Sequence, residues 1–184
     1  MYFVIDNGSY KTGSNYLKGC LSFKKFLKLD KDDVDSNTFM GTSDTILNGV
    51  NFDSLYLRIV IKICDMPNVC KVILSDKYDL YDISIITRFN LQIKPYCNYI
   101  VNAGAKGYTH ILEWLKKSEL IVYDPVYYQD YALTLPTIYG HVNVLEWWKN
   151  SGFPLKYDPL VLNFYLKRFK NSEVLQWWQN SGLL

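Results

Sequence analysis

Residues 140–152 read GHVNVLEWWKNSG, and this stretch recurs in weaker form on both sides of itself. Upstream, residues 107–118 read GYTHILEWLKKS, in which Trp114 takes the place of Trp147. Downstream, residues 170–182 read KNSEVLQWWQNSG, in which Trp177 takes that place. Self-similarity at a nearly fixed period of this length is typical of repeat proteins. The C-terminal half is therefore expected to consist of repeated units.

A second marker lies between these copies in the same register. Pro95, Pro125 and Pro159 follow one another at nearly the same period as the tryptophans, and each precedes one copy of the tryptophan stretch. Asp158 before Pro159 is a good N-cap followed by a residue suited to the first helical position. A helix is therefore predicted to begin at each proline, and three repeats are predicted from residue 95 to the C-terminus.

Each repeat is expected to contain two helices. Gly107 and Gly140 tolerate the left-handed conformation that ends a helix, so the first helix should end there. The second helix follows at once with apolar residues at helical spacing, and Gly152 ends it in the central copy. One such pair cannot cover its own apolar surface, whereas stacked pairs can.

The recurring tryptophans are interpreted as packing residues. Trp114, Trp147 and Trp177 share one repeat position and are predicted to be buried between repeats. Trp147→Ala should therefore lower the free energy of unfolding by about 3–5 kcal/mol, and replacing Trp177 by alanine should lower it less. Trp148 and Trp178 lie about 100° further around the helix and are expected to cover the seam with neighbouring helices. A base-stacking platform for nucleic acid is the alternative, but packing between repeats requires the same spacing.

The central copy resembles the second half of the ankyrin repeat, roughly G-H-x-x-V-V-x-L-L-L-x-x-G-A. The T-P-L-H box that opens such a repeat is absent, and Tyr-Asp-Pro stands in its position. The Leu-Glu-Trp-Trp variant is similar to divergent ankyrin-repeat proteins of giant, mimivirus-like DNA viruses and of some fungi, and in the viral proteins a stretch like residues 71–80 often precedes the repeats. The matching positions are Gly140, His141, Val144, Leu145 and Gly152, with Trp147 and Trp148 in place of leucines.

The predicted fold is mainly α. It consists of a short ankyrin-like helical solenoid of about three repeats plus a degenerate leading one, and a small β or α+β N-terminal cap precedes the solenoid. Residues 1–75 are assigned to the cap and residues 76–184 to the repeats. In the cap, residues 2–5 and 55–61 read as strands, and residues 69–74 as the partner of the second across a turn at 65–68.

Three further segments complete this reading. Residues 21–29 could form a short helix, and residues 30–49 read as loop. Residues 82–89 are predicted to be helical with Asp82 as N-cap, as the second helix of the leading repeat. The last repeat is expected to face water through polar residues, since a terminal repeat needs a polar outer face. These are Lys167, Arg168, Lys170, Gln176 and Gln179.

Composition limits the classes of partner. The 184 residues are 49% hydrophobic and 21% charged with a net charge of +2, an ordinary globular balance that offers no electrostatic case for nucleic acid. No apolar run is long enough for a membrane span, and no secretory signal opens the chain. A reducing, aqueous compartment is expected, which for a viral protein is the host cytoplasm or the virion.

Metal, cofactor and catalytic readings find little support in the sequence. The four cysteines lack the spacing of a zinc site and are expected to be free thiols. His110 and His141 fall at different repeat positions, which favours local hydrogen bonding over a shared catalytic role. Residues 8–14, GSYKTGS, lack the lysine that a phosphate-binding loop needs before Ser14. Neither an enzyme nor a bound cofactor is therefore predicted.

The favoured function is a non-enzymatic module that binds a protein partner, as the resemblance to ankyrin proteins implies; in a virus it would act on host or viral partners. Binding is expected on the concave face made by the turns and first helices, which vary between repeats while the second helices do not. Tyrosine is enriched at interfaces. The alternative is a structural component of a virion or viral assembly. The predicted binding residues are Tyr123, Tyr127, Tyr128, Asp130, Lys156, Tyr157, Asn163 and Lys167.

Overall fold

The chain has an α+β arrangement and divides into two compact units, Met1–Ile93 and Lys94–Leu184. The sequence-based boundary was drawn between residues 75 and 76. The computed structural model describes residues 1–8, 12–18, 39–66, 69–94, 98–120, 131–155, 157–169 and 172–183. The helix considered at residues 21–29 lies outside these ranges.

The first unit contains an antiparallel sheet. The strands are Tyr2–Asp6 (β1), Gly13–Lys18 (β2), Phe39–Thr42 (β3), Tyr56–Met66 (β4), Val69–Leu74 (β5) and Tyr78–Asp79 (β6). Their order in the sheet is β2-β5-β4-β1-β3, with β6 paired to the start of β4. The strands predicted near residues 55–61 and 69–74 are neighbours, but the first continues to Met66, and β5 pairs with Val60 and residues 62–66 while residues 56–60 pair with β1. Asp65 and Met66, predicted to lie in the turn, therefore belong to β4.

The prediction of loop throughout residues 30–49 was wrong for its C-terminal part. Strand β3 pairs with β1, and a 3₁₀-helix follows at Ile46–Gly49, where Ile46 and Leu47 are fully buried. Composition alone suggested a turn-rich segment, but pairing with β1 and burial of two aliphatic side chains override that local preference.

A buried ion pair joins the two central strands of this sheet. Arg58 Nε donates to Asp6 Oδ2 at 3.0 Å, and both side chains are almost fully buried. The guanidinium also donates to the Ser75 carbonyl oxygen at 3.0 Å. A buried charge pair is tolerated when both partners are hydrogen-bonded, so these contacts fix the ends of β1, β4 and β5 relative to one another.

The predicted helix near residue 82 is confirmed as Ile83–Arg88 (α1), and Asp82 caps it by accepting from the Ser84 backbone N–H at 2.8 Å. The ring of Phe89 lies 5.5 Å from that of Phe3 and 5.4 Å from that of Tyr78. These contacts place α1 with the sheet in the first unit, whereas the sequence assigned it to the repeat region.

The second unit contains three helix pairs within its described residues. The first helix of the last pair begins at Pro159, as predicted, and Asp158 accepts a hydrogen bond from the Leu160 N–H at 2.8 Å. The starts predicted at Pro95 and Pro125 lie outside the described residues. The pairs are Asn98–Ala105 (α2) with Thr109–Lys117 (α3), Tyr131–Tyr139 (α4) with Val142–Asn150 (α5), and Pro159–Phe169 (α6) with Ser172–Ser181 (α7).

Helices in this unit end through one recurring turn. Gly107 and Gly140 both have φ of +81°, as the predicted helix ends require. After Gly107 the Tyr108 N–H returns to the Ala103 carbonyl at 2.9 Å, and after Gly140 the His141 N–H returns to the Pro136 carbonyl at 2.8 Å. These six-to-one bonds satisfy carbonyls that would otherwise be left unpaired at the helix ends.

Contacts between pairs follow the order of the chain. The first helix of each pair contacts the next first helix, α2 to α4 and α4 to α6. The second helices do the same, α3 to α5 and α5 to α7. Aliphatic residues from the second helices fill the interior, including Ile111, Leu112, Leu115, Val144, Leu145 and Val174.

The predicted burial of Trp114, Trp147 and Trp177 was wrong, whereas Trp178 lies against the preceding pair, as expected. Trp148 and Trp178 are buried, with 2% and 0% exposure, whereas Trp147 and Trp177 are partly exposed. On α5, the buried stripe runs through Leu145 and through Trp148, three residues later on the same side of the helix. The preceding residue is rotated by about 100° and so lies at the edge of this stripe.

Candidate functional site

Two glutamate–tryptophan hydrogen bonds link the second helices at the surface. Trp147 Nε1 on α5 donates to Glu113 Oε2 on α3 at 2.9 Å, and Trp177 Nε1 on α7 donates to Glu146 Oε2 on α5 at 2.7 Å. We call these four residues the Glu–Trp ladder. The same bond thus joins successive pairs at one repeat position, which explains why the glutamates recur in the sequence.

The ladder carboxylates are held in their charged form. The hydrogen bond from Trp147, and after it that from Lys117, lowers the pKa of Glu113 from its ordinary value of 4.5. The bond from Trp177, followed by that from Asn150, lowers the pKa of Glu146 in the same way. Glu146 is exposed and Glu113 is partly exposed, so water solvates both anions at neutral pH.

An open groove of about 400 Å³ lies along the ladder between α3 and α5. Its walls mix carboxylates, an ammonium group, amides and one aromatic ring, so it has no single charge. Lys117 bridges to Glu113 at 3.3 Å beside it. The residues that line it include Thr109, Glu113, Lys116, Asn143, Glu146 and Trp147.

A second junction joins the turns of the first two pairs. The imidazole of His141 packs against Gly107, where an added Cβ would lie 2.8 Å from His141 Nδ1. Asn143 Nδ2 donates to the Gly107 carbonyl oxygen at 3.0 Å. Burial lowers the pKa of His141 from 6.5, and a hydrogen bond with the Ala105 backbone opposes this in part. His141 is therefore a neutral packing residue at pH 7.

The outer side of α6 carries exposed apolar side chains. Leu160 is 80% exposed and Phe164 is 55% exposed, one helical turn apart. Asn163 and Lys167, two of the predicted binding residues, are exposed on the same helix. Large apolar side chains exposed together are a feature of interaction surfaces.

The predicted binding residues are only partly covered by the structure. Tyr157 is half-buried, its ring lies 5.4 Å from that of Trp178, and its hydroxyl donates to the Leu183 carbonyl oxygen. Its side chain therefore packs within the unit. Asn163 and Lys167 lie together on α6. The other five, Tyr123, Tyr127, Tyr128, Asp130 and Lys156, lie outside the described residues.

Sequence reasoning missed both the ladder and the exposed side of α6. The recurrence of Glu113 and Glu146 was attributed to structural patterning, but their hydrogen bonds to Trp147 and Trp177 were not foreseen. The signal was that Glu113 and Glu146 each stand directly before the tryptophan position of the repeat, so each lies near the tryptophan of the next repeat. For α6, Leu160 and Phe164 at helical spacing could have indicated an apolar stripe.

The described residues contain no group of three or more His, Cys, Asp or Glu side chains placed to hold a metal ion. No helix in the described ranges has both the length and the apolar character to cross a bilayer.

Comparison with protein-family models, with curated proteins and with solved structures finds no match to this chain. The resemblance to ankyrin-repeat and giant-virus proteins therefore stays a prediction from the sequence.

Proposed function

We propose that the chain is a non-enzymatic module that binds a protein partner, and that residues 94–184 form a short ankyrin-like solenoid of stacked helix pairs. One observation carries this proposal: the contacts between successive pairs recur one repeat further along. The Trp147 bond to Glu113 and the Trp177 bond to Glu146 are the same contact at two levels. In a solenoid each repeat contacts only its neighbours, and the stacked repeats together form an extended surface.

Recurring bonds at the helix ends support the same reading. Ser151 Oγ donates to the Trp148 carbonyl oxygen at 2.7 Å, and Ser181 Oγ donates to the Trp178 carbonyl oxygen at 2.8 Å. The two serines occupy one position of the repeat. Since these side chains are used for structure, the freedom to recognise a partner lies with the residues that differ between repeats.

The proposed binding surface is the turn and first-helix face predicted from the sequence. Within the described part of that face, α6 exposes Asn163 and Lys167 beside Leu160 and Phe164. An apolar centre with a polar surround is the usual anatomy of a protein interface. A viral origin, with host or viral proteins as partners, follows only from the resemblance stated above.

The proposal is tested by quantitative capture of proteins from source cells with the full chain as bait. The test variant combines Tyr127→Ala with Lys156→Glu. The control combines Lys149→Glu with Gln179→Ala, at two exposed positions of the second helices. A specific partner should be retained by the control and depleted by the test variant, while the unfolding midpoints of both variants stay near that of the unmodified chain.

Two results would contradict the proposal in different ways. Failure to enrich any protein above a bead control would contradict partner binding itself. Retention by the test variant, with loss on changing exposed Ile61 to Ser, would move binding to the N-terminal unit and refute the proposed face.

A further inference from the structure

The outward side of α6 carries a stripe that changes from apolar to basic along the helix. Leu160 and Phe164 are 80% and 55% exposed, and Asn163 and Lys167 are exposed beside them. These four residues follow the i, i+3, i+4, i+7 spacing of one helix face. Arg168 is also exposed, and its guanidinium lies 5.9 Å from the Phe164 ring centroid. The apolar and basic parts therefore form one continuous surface, which we call the α6 stripe.

The α6 stripe carries cations without carboxylates. Helix α6 contains no Asp or Glu, and Asp158, which precedes it, caps the helix by accepting from the Leu160 backbone N–H. Within the described ranges, neither Lys167 nor Arg168 forms an ion pair. The helix dipole favours a cation in the last turn by about 0.3–1 kcal/mol. This explains why two cations are placed there, but it leaves both of them available to carboxylates of a partner.

The equivalent side of the preceding first helix is covered by helices. Aligning the last two copies of the tryptophan stretch brings Phe164 onto Thr134 and Lys167 onto Thr137. Thr134 and Thr137 are 8% and 3% exposed. Helix α6 contacts α4 there, and Trp178 on α7 donates to Thr137 Oγ1. A helix is therefore what packs on this side of a first helix within the unit.

We propose that the protein partner of this face presents an acidic amphipathic helix. Its apolar residues cover Leu160 and Phe164, and its carboxylates pair with Lys167 and Arg168. The inference rests on the proposed function and adds the chemistry of the partner. The apolar contact contributes most of the affinity, because it is removed from water, whereas the exposed charge pairs fix the direction in which the partner helix lies.

An anionic lipid surface is the other class of target that an apolar and basic helix face resembles. A bilayer contributes about 1 kcal/mol for each cation near its surface, so the two cations of the stripe would hold the chain only weakly. A partner helix instead brings carboxylates into contact with both cations and covers the two apolar side chains by direct packing. The protein helix is therefore the favoured occupant.

Capture from source-cell extract with the full chain as bait is the first test. The affinity is measured as the bait concentration that depletes half of a specific partner. Leu160→Ala with Phe164→Ala should weaken this affinity about a hundredfold, because truncating two apolar anchors removes the centre of the contact. Lys167→Glu with Arg168→Glu should weaken it about tenfold, because like charges then face each other.

Two further variants control for net charge and for the reversal of charge. Lys94→Glu with Lys149→Glu makes the same change in charge at two exposed positions outside the stripe, and should leave the affinity unchanged. Lys167→Gln with Arg168→Gln removes the cations without adding carboxylates, so it should weaken binding less than the reversed pair. The replaced side chains are exposed, so each variant should keep the unfolding midpoint of the unmodified chain.

Zero-length cross-linking tests directly for the carboxylate of the partner. A carbodiimide joins a lysine amine to a carboxylate that pairs with it, so Lys167 should become linked to an Asp or Glu side chain of the captured protein. Lys167→Arg keeps the positive charge but cannot form this amide, so it should retain the partner and lose the link. Mass spectrometry of the linked peptide should place that carboxylate in a segment with apolar residues at helical spacing.

The possible failures are distinguishable. Enrichment of no protein would contradict the proposed function itself, and this inference with it. A partner retained by both the apolar and the charge-reversed variant would leave partner binding in place and overturn the role of α6. A partner lost only with the apolar variant, and not linked to Lys167, would overturn its acidic character. Sedimentation of the purified chain with phosphatidylserine vesicles, abolished by Lys167→Glu with Arg168→Glu, would overturn the protein helix in favour of an anionic lipid surface.

Discussion

The inner and outer sides of the second helices carry the same type of residue and use it differently. On the inner side, Trp178 is fully buried and its indole nitrogen donates to buried Thr137 of the preceding pair. On the outer side, Trp147 and Trp177 are partly exposed and donate to solvated glutamates. Adjacent tryptophans therefore make two different connections between the same two helix pairs, Trp178 to α4 and Trp177 to α5.

This difference teaches that recurrence in a sequence does not by itself indicate burial. A repeated position can be repeated because it fills the core or because it makes a surface bond to the next unit. The inner contact removes a large apolar area from water, which stabilises folding strongly. The outer contact is formed by groups that water also solvates, so its contribution to stability is small.

The largest expected effect is at the inner tryptophan of the central pair. Trp148→Ala should lower the free energy of unfolding by about 3–5 kcal/mol, because it removes a buried aromatic side chain and leaves a cavity. Urea unfolding followed by circular dichroism measures this value.

The adjacent variant Trp147→Ala is the internal control. It should cost clearly less than Trp148→Ala, which revises the value expected from the sequence. Equal losses for the two variants, or a larger loss at Trp147, would contradict the assignment of inner and outer sides.

A smaller effect is expected at the glycine beneath His141. Gly107 and Gly152 have φ of +81° and +79°, so an alanine at either position should cost about 1 kcal/mol in the left-handed conformation. An added Cβ at Gly107 also meets His141 Nδ1 at 2.8 Å, whereas nothing lies within 4 Å at Gly152.

Gly107→Ala should therefore destabilise more than Gly152→Ala in the same urea experiment. Indistinguishable midpoints for the two variants would argue against packing of His141 on this turn.

His141 should also make stability depend on pH in a defined window. Burial lowers its pKa in the folded chain below 6.5, so the unfolded chain binds the proton more readily. The contribution of the neutral ring is complete above about pH 6.5 and decreases as pH falls through the folded pKa. The pKa values of Glu113 and Glu146 are also lowered, from 4.5. These two groups therefore decrease the stability further only at a pH below about 4.5.

His141→Gln should flatten the decline in unfolding free energy between about pH 7 and pH 5. An identical pH dependence in the unmodified and His141→Gln chains would contradict this role.

The smallest effect is expected from removing only the outer hydrogen bond. Trp147→Phe keeps an aromatic ring but loses the donor to Glu113, and the freed carboxylate is solvated by water. The unfolding midpoint should change little, while the pKa of Glu113, followed by NMR, should rise towards its ordinary value. An unchanged Glu113 pKa in this variant would show that the hydrogen bond from Trp147 to Glu113 does not form in solution.

The helices were predictable because their end signals are local. Asp158 before Pro159 and the glycines at 107 and 140 determine helix ends through backbone conformation alone, and the structure has those ends. Strand β3 was not predictable in this way, since its pairing with β1 depends on residues in a distant part of the sequence. Non-local pairing leaves no period in the sequence of the segment itself.

The candidate site was predictable to a smaller extent. Sequence reasoning correctly assigned Glu113 and Glu146 a structural role, but periodicity could not decide which of two adjacent tryptophans faces inward. That choice depends on where the buried stripe through Leu145 meets the neighbouring helix. The predicted surface residues of α6 are exposed, and whether they bind a partner stays a prediction.

The most direct test of the stacked pairs is an NMR measurement on the tryptophan indole protons. Thr137 and Trp178 are far apart in the chain and belong to different pairs, but their side chains are hydrogen-bonded at 3.0 Å. A nuclear Overhauser effect should therefore connect the Trp178 indole proton to the Thr137 methyl group, and this proton should exchange with solvent more slowly than that of Trp147. Absence of the connection, with equally fast exchange at both indoles, would contradict the stacked arrangement.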